Sequence, residues 1–177
     1  MTAKPALALH RFGLGARPGD MGRMGDPAVW LERQIAPQPP PKDFASFAGP
    51  ADIIRSRPGP AELRDNPEAR KAFAEETRAD LRLAVAARMK AAFESDTPFH
   101  ERLVWFWSNH LSITAGSKVR VAPFAFDYER SAIRPHVTGK FADMLLASAR
   151  HPAMLLYLDN ALSVGPNSRA GQRREAG

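Results

Sequence analysis

From Glu68 to Thr97 the chain contains neither proline nor glycine, and alanine, arginine, glutamate and lysine dominate it. Such a stretch has one regular structure open to it. The composition and periodicity predict a single long amphipathic helix from about Ala61 or Pro67 to Phe93. Phe73, Leu83, Val85, Ala86, Met89 and Phe93 can form its buried stripe, with Glu75, Glu76, Arg78 and Arg82 in water.

Nowhere do β-branched or aromatic residues alternate with polar ones over four to eight positions, so the fold class is all-α. The expected architecture is an irregular bundle of about five to seven helices. Phe12-Gly-Leu-Gly-Ala-Arg-Pro-Gly19 reads as a glycine-rich turn, and Asp26-Pro27 as the cap and first position of a helix to Ile35. Pro37, Pro39, Pro40 and Pro41 open a proline-rich linker near 37–60, with one helical turn near Ala51–Arg55. Asp96-Thr97 caps a helix over Pro98–Leu111, in which Phe99, Leu103, Phe106 and His110 share a face. Asp127 can cap a helix through Arg134, which Pro135 ends or kinks. Gly139–Arg150 follows, with Phe141, Met144, Leu145 and Ala149 inward, and a last helix runs from Pro152 to near Asn160. Residues 1–160 thus read as one helical domain, and 161–177 as a disordered basic tail.

Composition excludes several chemistries. No cysteine is present, which removes disulfides, zinc–thiolate sites and thiol catalysis. No apolar run reaches the roughly 18 residues of a membrane span. The segment Met1 to Arg11 is too short and too soon interrupted for a signal peptide, so the chain reads as cytoplasmic. The net charge of +6 raises nucleic-acid or anion binding, but the arginines are scattered among acids instead of clustered. That makes nucleic acid an unfavoured partner.

The polar residues that packing does not demand lie between Pro98 and Asn160. Asn109, His110, Arg134, His136, His151, Asp159 and Asn160 form a candidate polar cluster, and Trp105, Phe106 and Trp107 a candidate aromatic surface. No two of the five histidines stand at the three- or four-residue spacing of ligands on one helix face, and no HExxH occurs, so no metal is expected. Gly13-Leu14-Gly15 with Gly19 lacks the preceding strand and the spacing of a dinucleotide fingerprint, so no cofactor is expected. The serines lack a nucleophile elbow. Arg130 and Arg134 are four apart, a repulsive pair that Asp127 and Glu129 can compensate internally. Asp159 sits at a helix C-terminus, where the dipole disfavours it, so it needs a partner such as Arg134, Arg150 or a residue further downstream. Asn160 is the candidate C-cap.

Five ordered segments carry a resemblance: Ala6–Asp20, Trp30–Gln34, Phe106–His110, Glu129–His136 and His151–Asn160. Together they resemble the N-terminal part of the bacterial domain-of-unknown-function family 1800, over residues 6–168. The resemblance implies a largely helical protein, two to three times longer and often exported in other members, with no established activity. It further implies an Asn-Glu-x-x-Ala-Arg-Glu helix just beyond residue 177. The expected reading is therefore an uncharacterised helical fragment with a binding or assembly role and no autonomous catalysis. Its partner would be the missing C-terminal half, a second copy or another protein. The alternative is half of an enzyme or metal site, to which Asn109, His110, Arg134, His136, His151 and Asp159 contribute.

Overall fold

The computed structural model describes residues 3–116, 118–165, 167–169, 171 and 172. Among these residues there is no β-strand, and ten α-helices are present: α1 (Ala3–Phe12), α2 (Asp20–Arg23), α3 (Pro27–Glu32), α4 (Pro50–Ser56), α5 (Pro60–Asp65), α6 (Pro67–Glu94), α7 (Pro98–His110), α8 (Ala125–Tyr128), α9 (Phe141–Arg150) and α10 (Pro152–Tyr157). A π-helical turn, Glu129–Ile133, follows α8. Short 3-10 turns occupy Lys42–Ser46, Ala122–Phe124, Arg134–His136 and Asn160–Leu162. No helix among the described residues is long and apolar enough to cross a membrane.

Prolines start helices here. Six of the ten α-helices begin on one, where the missing N–H costs nothing. Asp26 caps α3 as the sequence predicts, accepting from the Ala28 and Val29 N–H groups at 2.9 and 3.1 Å. Asn66 does the same for α6 through Ala69. The predicted cap of α7 is different: the Thr97 side chain makes no capping bond. Gln34, only 2% exposed at the end of α3, accepts from the Phe99 N–H at 2.9 Å and donates to Trp30 O. A side chain 65 residues away satisfies this orphan donor and ties the first helices to α7.

The core gathers Ile53, Val104, Phe124, Tyr128, Ala132, Ile133, Val137, Met144 and Ala153, and a smaller cluster joins Ala8, Leu9 and Met24. Two helices orient differently from the sequence expectation. Helix α6 buries Phe73, Thr77, Ala84 and Ala92, leaving Leu83, Val85 and Phe93 exposed. Small residues on the buried stripe let α6 approach its neighbours closely, and Arg88 reaches inward beside them. On α9 only Met144 and Ser148 are buried, while Phe141, Leu145 and Ala149 face outward. In α7 the core face carries His100, Glu101 and Val104, so the Phe99–Leu103–Phe106–His110 row lies to one side, half-buried at its start and exposed at its end.

The proline-rich segment is pinned to the core. Phe44, 1% exposed, packs edge-on against Phe126 at 4.8 Å, and Phe47 packs on the same ring. The Arg130 guanidinium donates to the carbonyls of Phe44, Phe47 and Ala48. Since prolines cannot form a regular ladder, an arginine with several fixed donors substitutes for it.

At the other end α10 stops at Tyr157. The left-handed position is Asp159 (φ 57°), not Asn160, which begins the following 3-10 turn. Part of the expected tail, including Arg173, Arg174 and Glu175, lies outside the described residues.

Candidate functional site

The charged centre of the molecule is built on residues 125–136. Asp127 does not cap a helix start; it lies inside a continuous helical path that changes pitch twice. Beyond Tyr128 the turn widens, and the Arg134 N–H donates to Glu129 O, five residues back. Pro135 has no N–H to continue any ladder, and the path tightens to a 3-10 turn. The widening places Arg134, not Ile133, over Glu129.

One network follows. Arg134 grips Glu101 of α7 with both terminal nitrogens, at 2.6 and 3.0 Å, and reaches Glu129 at 3.3 Å. Glu129 also accepts from Arg88 of α6 at 2.5 Å and from Ser108 of α7 at 3.2 Å. Arg134, Glu101 and Glu129 are all buried. Taking these charges out of water costs several kcal/mol each, which only mutual pairing offsets. The paired geometry suits arginine, whose flat face also stacks: Arg134 lies 5.0 Å from the Phe44 ring centroid and Arg88 lies 5.1 Å from that of Trp105.

A second network sits beside it. Asp127 pairs with Arg130 and with His151, whose Nε2 is 3.0 Å from Asp127 Oδ2. His151 Nδ1 accepts the Ala153 N–H at 3.1 Å, capping α10. With Nδ1 accepting, the ring hydrogen sits on Nε2 and points at Asp127. Neither nitrogen is then left to take a proton from a substrate. Burial pushes the Asp127 carboxyl up, but its bonds to His151 and Arg130 outweigh that and hold it below the usual range. The internal pairing of Arg130 and Arg134 expected from the sequence is thus what the geometry contains.

Two other groups add a pH response. His100 is 3% exposed, and its Nδ1 has no partner. Burial lowers its pKa most; Glu101 raises it and Arg134 lowers it again, for a net fall below 6.5. Asp20 is also lowered, to about 2: burial raises it, but hydrogen bonds from Arg17 and Arg23 prevail. In each case the unfolded chain takes up its proton first, so stability falls on acidification. The His100 contribution is complete above the unfolded pKa of 6.5 and drains as pH falls from there toward its folded value. The Asp20 and Asp127 contributions drain only below 3.8. Urea unfolding followed against pH should show both steps, and His100→Leu should abolish the first while leaving the second. A wild-type curve that stays flat as pH falls from 6.5 to the onset of the carboxylate step would remove His100 from this account.

The structure distributes the remaining sequence candidates widely. Of the polar cluster, Arg134 and His151 belong to the two adjoining networks. Asn109, His110 and Asn160 are exposed, and His136 is half-buried on its 3-10 turn. Asp159 pairs with Lys118 at 2.6 Å, and neither Arg134 nor Arg150 supplies its partner. Among the described residues no hydrogen bond joins His110, His136 and Asp159, and no group of three or more histidines or acids is arranged to hold a metal ion. Of the aromatic trio, Trp105 is half-buried beside Arg88, Trp107 meets Phe141 at 5.4 Å, and Phe106 is 56% exposed and stacked on His110.

A family model described as protein of unknown function, DUF1800, matches residues 7–169. The chain belongs to this family. No curated protein and no solved structure matches it.

Sequence reasoning named Asp127 and Glu129 but missed Glu101 and Arg88 as members of the charged centre of this DUF1800 chain. Glu101 has Pro98, Val104 and Trp105 three and four residues away on α7, a signal that a buried acid needs a partner. Arg88 carried no such mark, because its partner lies 41 residues away in sequence. An open cavity of about 600 Å³ borders the centre, lined in part by Asp43, Arg57, Asp80, Phe126 and Asp127. Its charges are engaged: Asp43 with Lys90, Asp80 with Arg57, Asp127 with His151 and Arg130.

Proposed function

We propose that this DUF1800 chain is a binding and assembly module that docks an amphipathic helix, without chemistry of its own. The observation that carries this reading is the outer surface of α9 with the end of α7. Phe141, Leu145 and Leu146 are 49%, 45% and 48% exposed, and Trp107 and Phe106 extend the surface through ring contacts. Isolated exposed apolar residues are ordinary, but a contiguous face of this kind marks an interaction surface. Rows at 141, 145 and 149 and at 142 and 146 offer the ridges that a further helix packs between.

Two further observations favour binding over catalysis or nucleic acid. Both ring nitrogens of the buried histidine beside Asp127 are engaged. Arg17, Arg23, Arg57, Arg88, Arg130 and Arg134 each face an acid, which leaves them poor phosphate neutralisers.

The test is sedimentation velocity over a concentration series, with a photo-crosslinker at position 145. The expected result is concentration-dependent self-association, or a helical partner cross-linked from the source cells. Phe141→Ser with Leu145→Ser should abolish it at unchanged helicity. A chain that stays monomeric and cross-links to nothing would end this reading.

A further inference from the structure

A cavity of about 350 Å³ lies between α4, α5, α6, the 3-10 turn Ala122–Phe124 and α10, away from the α7–α9 face. Leu63, Phe73, Phe124, Leu155 and Leu156 give it an almost wholly apolar wall. Pro58, Pro60, Pro123 and Pro152 also line it, and their fixed φ angles favour a pre-formed cavity over one that collapses. Water gains little in such a space, because it needs several polar partners.

The charged side chains lining it are of one sign. Arg57 and Arg120 are present, and no acid lines the cavity among the described residues. Arg57 is a wall: its guanidinium stacks over Phe73 at 5.4 Å and pairs with Asp80 and Glu76 on its far side. Its Nε is buried and has no acceptor. Arg120 is exposed at the mouth and makes no ion pair among the described residues. An adjoining opening shared with Leu156 and Ala161 is flanked by Lys118, Arg120 and Asp159; Lys118 is paired with Asp159 there, which leaves Arg120 as its cation without an ion pair among the described residues.

From this arrangement we propose that the cavity binds a small single-chain amphiphile with an anionic head, the chain among Leu63, Phe73 and Leu156 and the head at Arg120. Size sets the class. At roughly 30 Å³ for each water-sized group, the cavity holds an apolar chain on the order of ten heavy atoms. That is at the low end of small-molecule sites and too small for a folded partner. The single sign of charge selects the anionic head.

Decanoate and decanol are the probes, titrated calorimetrically into the full chain below their aggregation limits. The expected result is saturable one-to-one binding of decanoate, weaker by about fivefold for decanol, for Arg120→Gln and at high salt. Ala161→Trp, at an exposed position on the rim, should block both probes while leaving the circular dichroism spectrum unchanged. Equal binding of the two probes with Arg120→Gln indifferent would overturn the anionic head. Undiminished binding in Ala161→Trp, or none in the native chain, would overturn the site itself.

Discussion

Arg134→Ala is expected to lower the free energy of unfolding by about 3–5 kcal/mol, among the largest losses any single side chain here can give. The substitution leaves Glu101 without its bidentate partner and Glu129 with only Arg88 and Ser108, all inside the bundle. It also uncovers one face of Phe44. The cost is mostly that of stranded buried carboxylates, not of attraction forgone. Removing both partners, as in Arg134→Met with Glu101→Leu, should therefore recover part of it. Urea unfolding followed by tryptophan fluorescence gives both numbers. A loss below about 1 kcal/mol, as surface pairs give, would mean that the charges are hydrated after all.

Phe44→Ala should cost a comparable amount, about 3–5 kcal/mol, because the ring is fully enclosed between Phe126 and Arg134. Its second effect is local. Without the ring, the proline-rich segment keeps the carbonyl bonds to Arg130, the Phe47–Phe126 contact and the partly exposed Asp43–Lys90 pair, and limited proteolysis should cut near residues 37–48 well before the remainder unfolds. If stability and cleavage both stay at the native level, this segment is a dispensable connector and not part of the core.

Local chemistry made much of the helical layout legible. Asp26-Pro27 marked a start, and the glycine-free run up to Thr97 could be little else than a helix. What escaped was which face each helix buries. In α6 alanine lies on every side, so the contrast between faces is weak and tertiary packing chooses the small-residue stripe. In α9 the contrast is strong, but assigning its apolar side inward presumed that every apolar stripe already has a partner. The charged centre was half legible. The repulsive spacing of Arg130 and Arg134 pointed to nearby acids, whereas Glu101 and Arg88 join across 33 and 41 residues. Local patterns carry no trace of such pairs. Gln34 was hidden for the same reason.

The wide turn at Glu129–Ile133 has a consequence for how this chain can vary. It holds one residue more than an α-turn, and that residue lets Asp127 face α10 while Glu129 and Arg134 face α6 and α7. Deleting one residue there would restore the ordinary pitch only by removing or re-aiming a side chain of a turn that buries Ala132 and Ile133 in the core. Side chains along this turn can change within limits, but its length cannot. Insertions and deletions should therefore collect in loops such as 112–116 and stay out of residues 127–136.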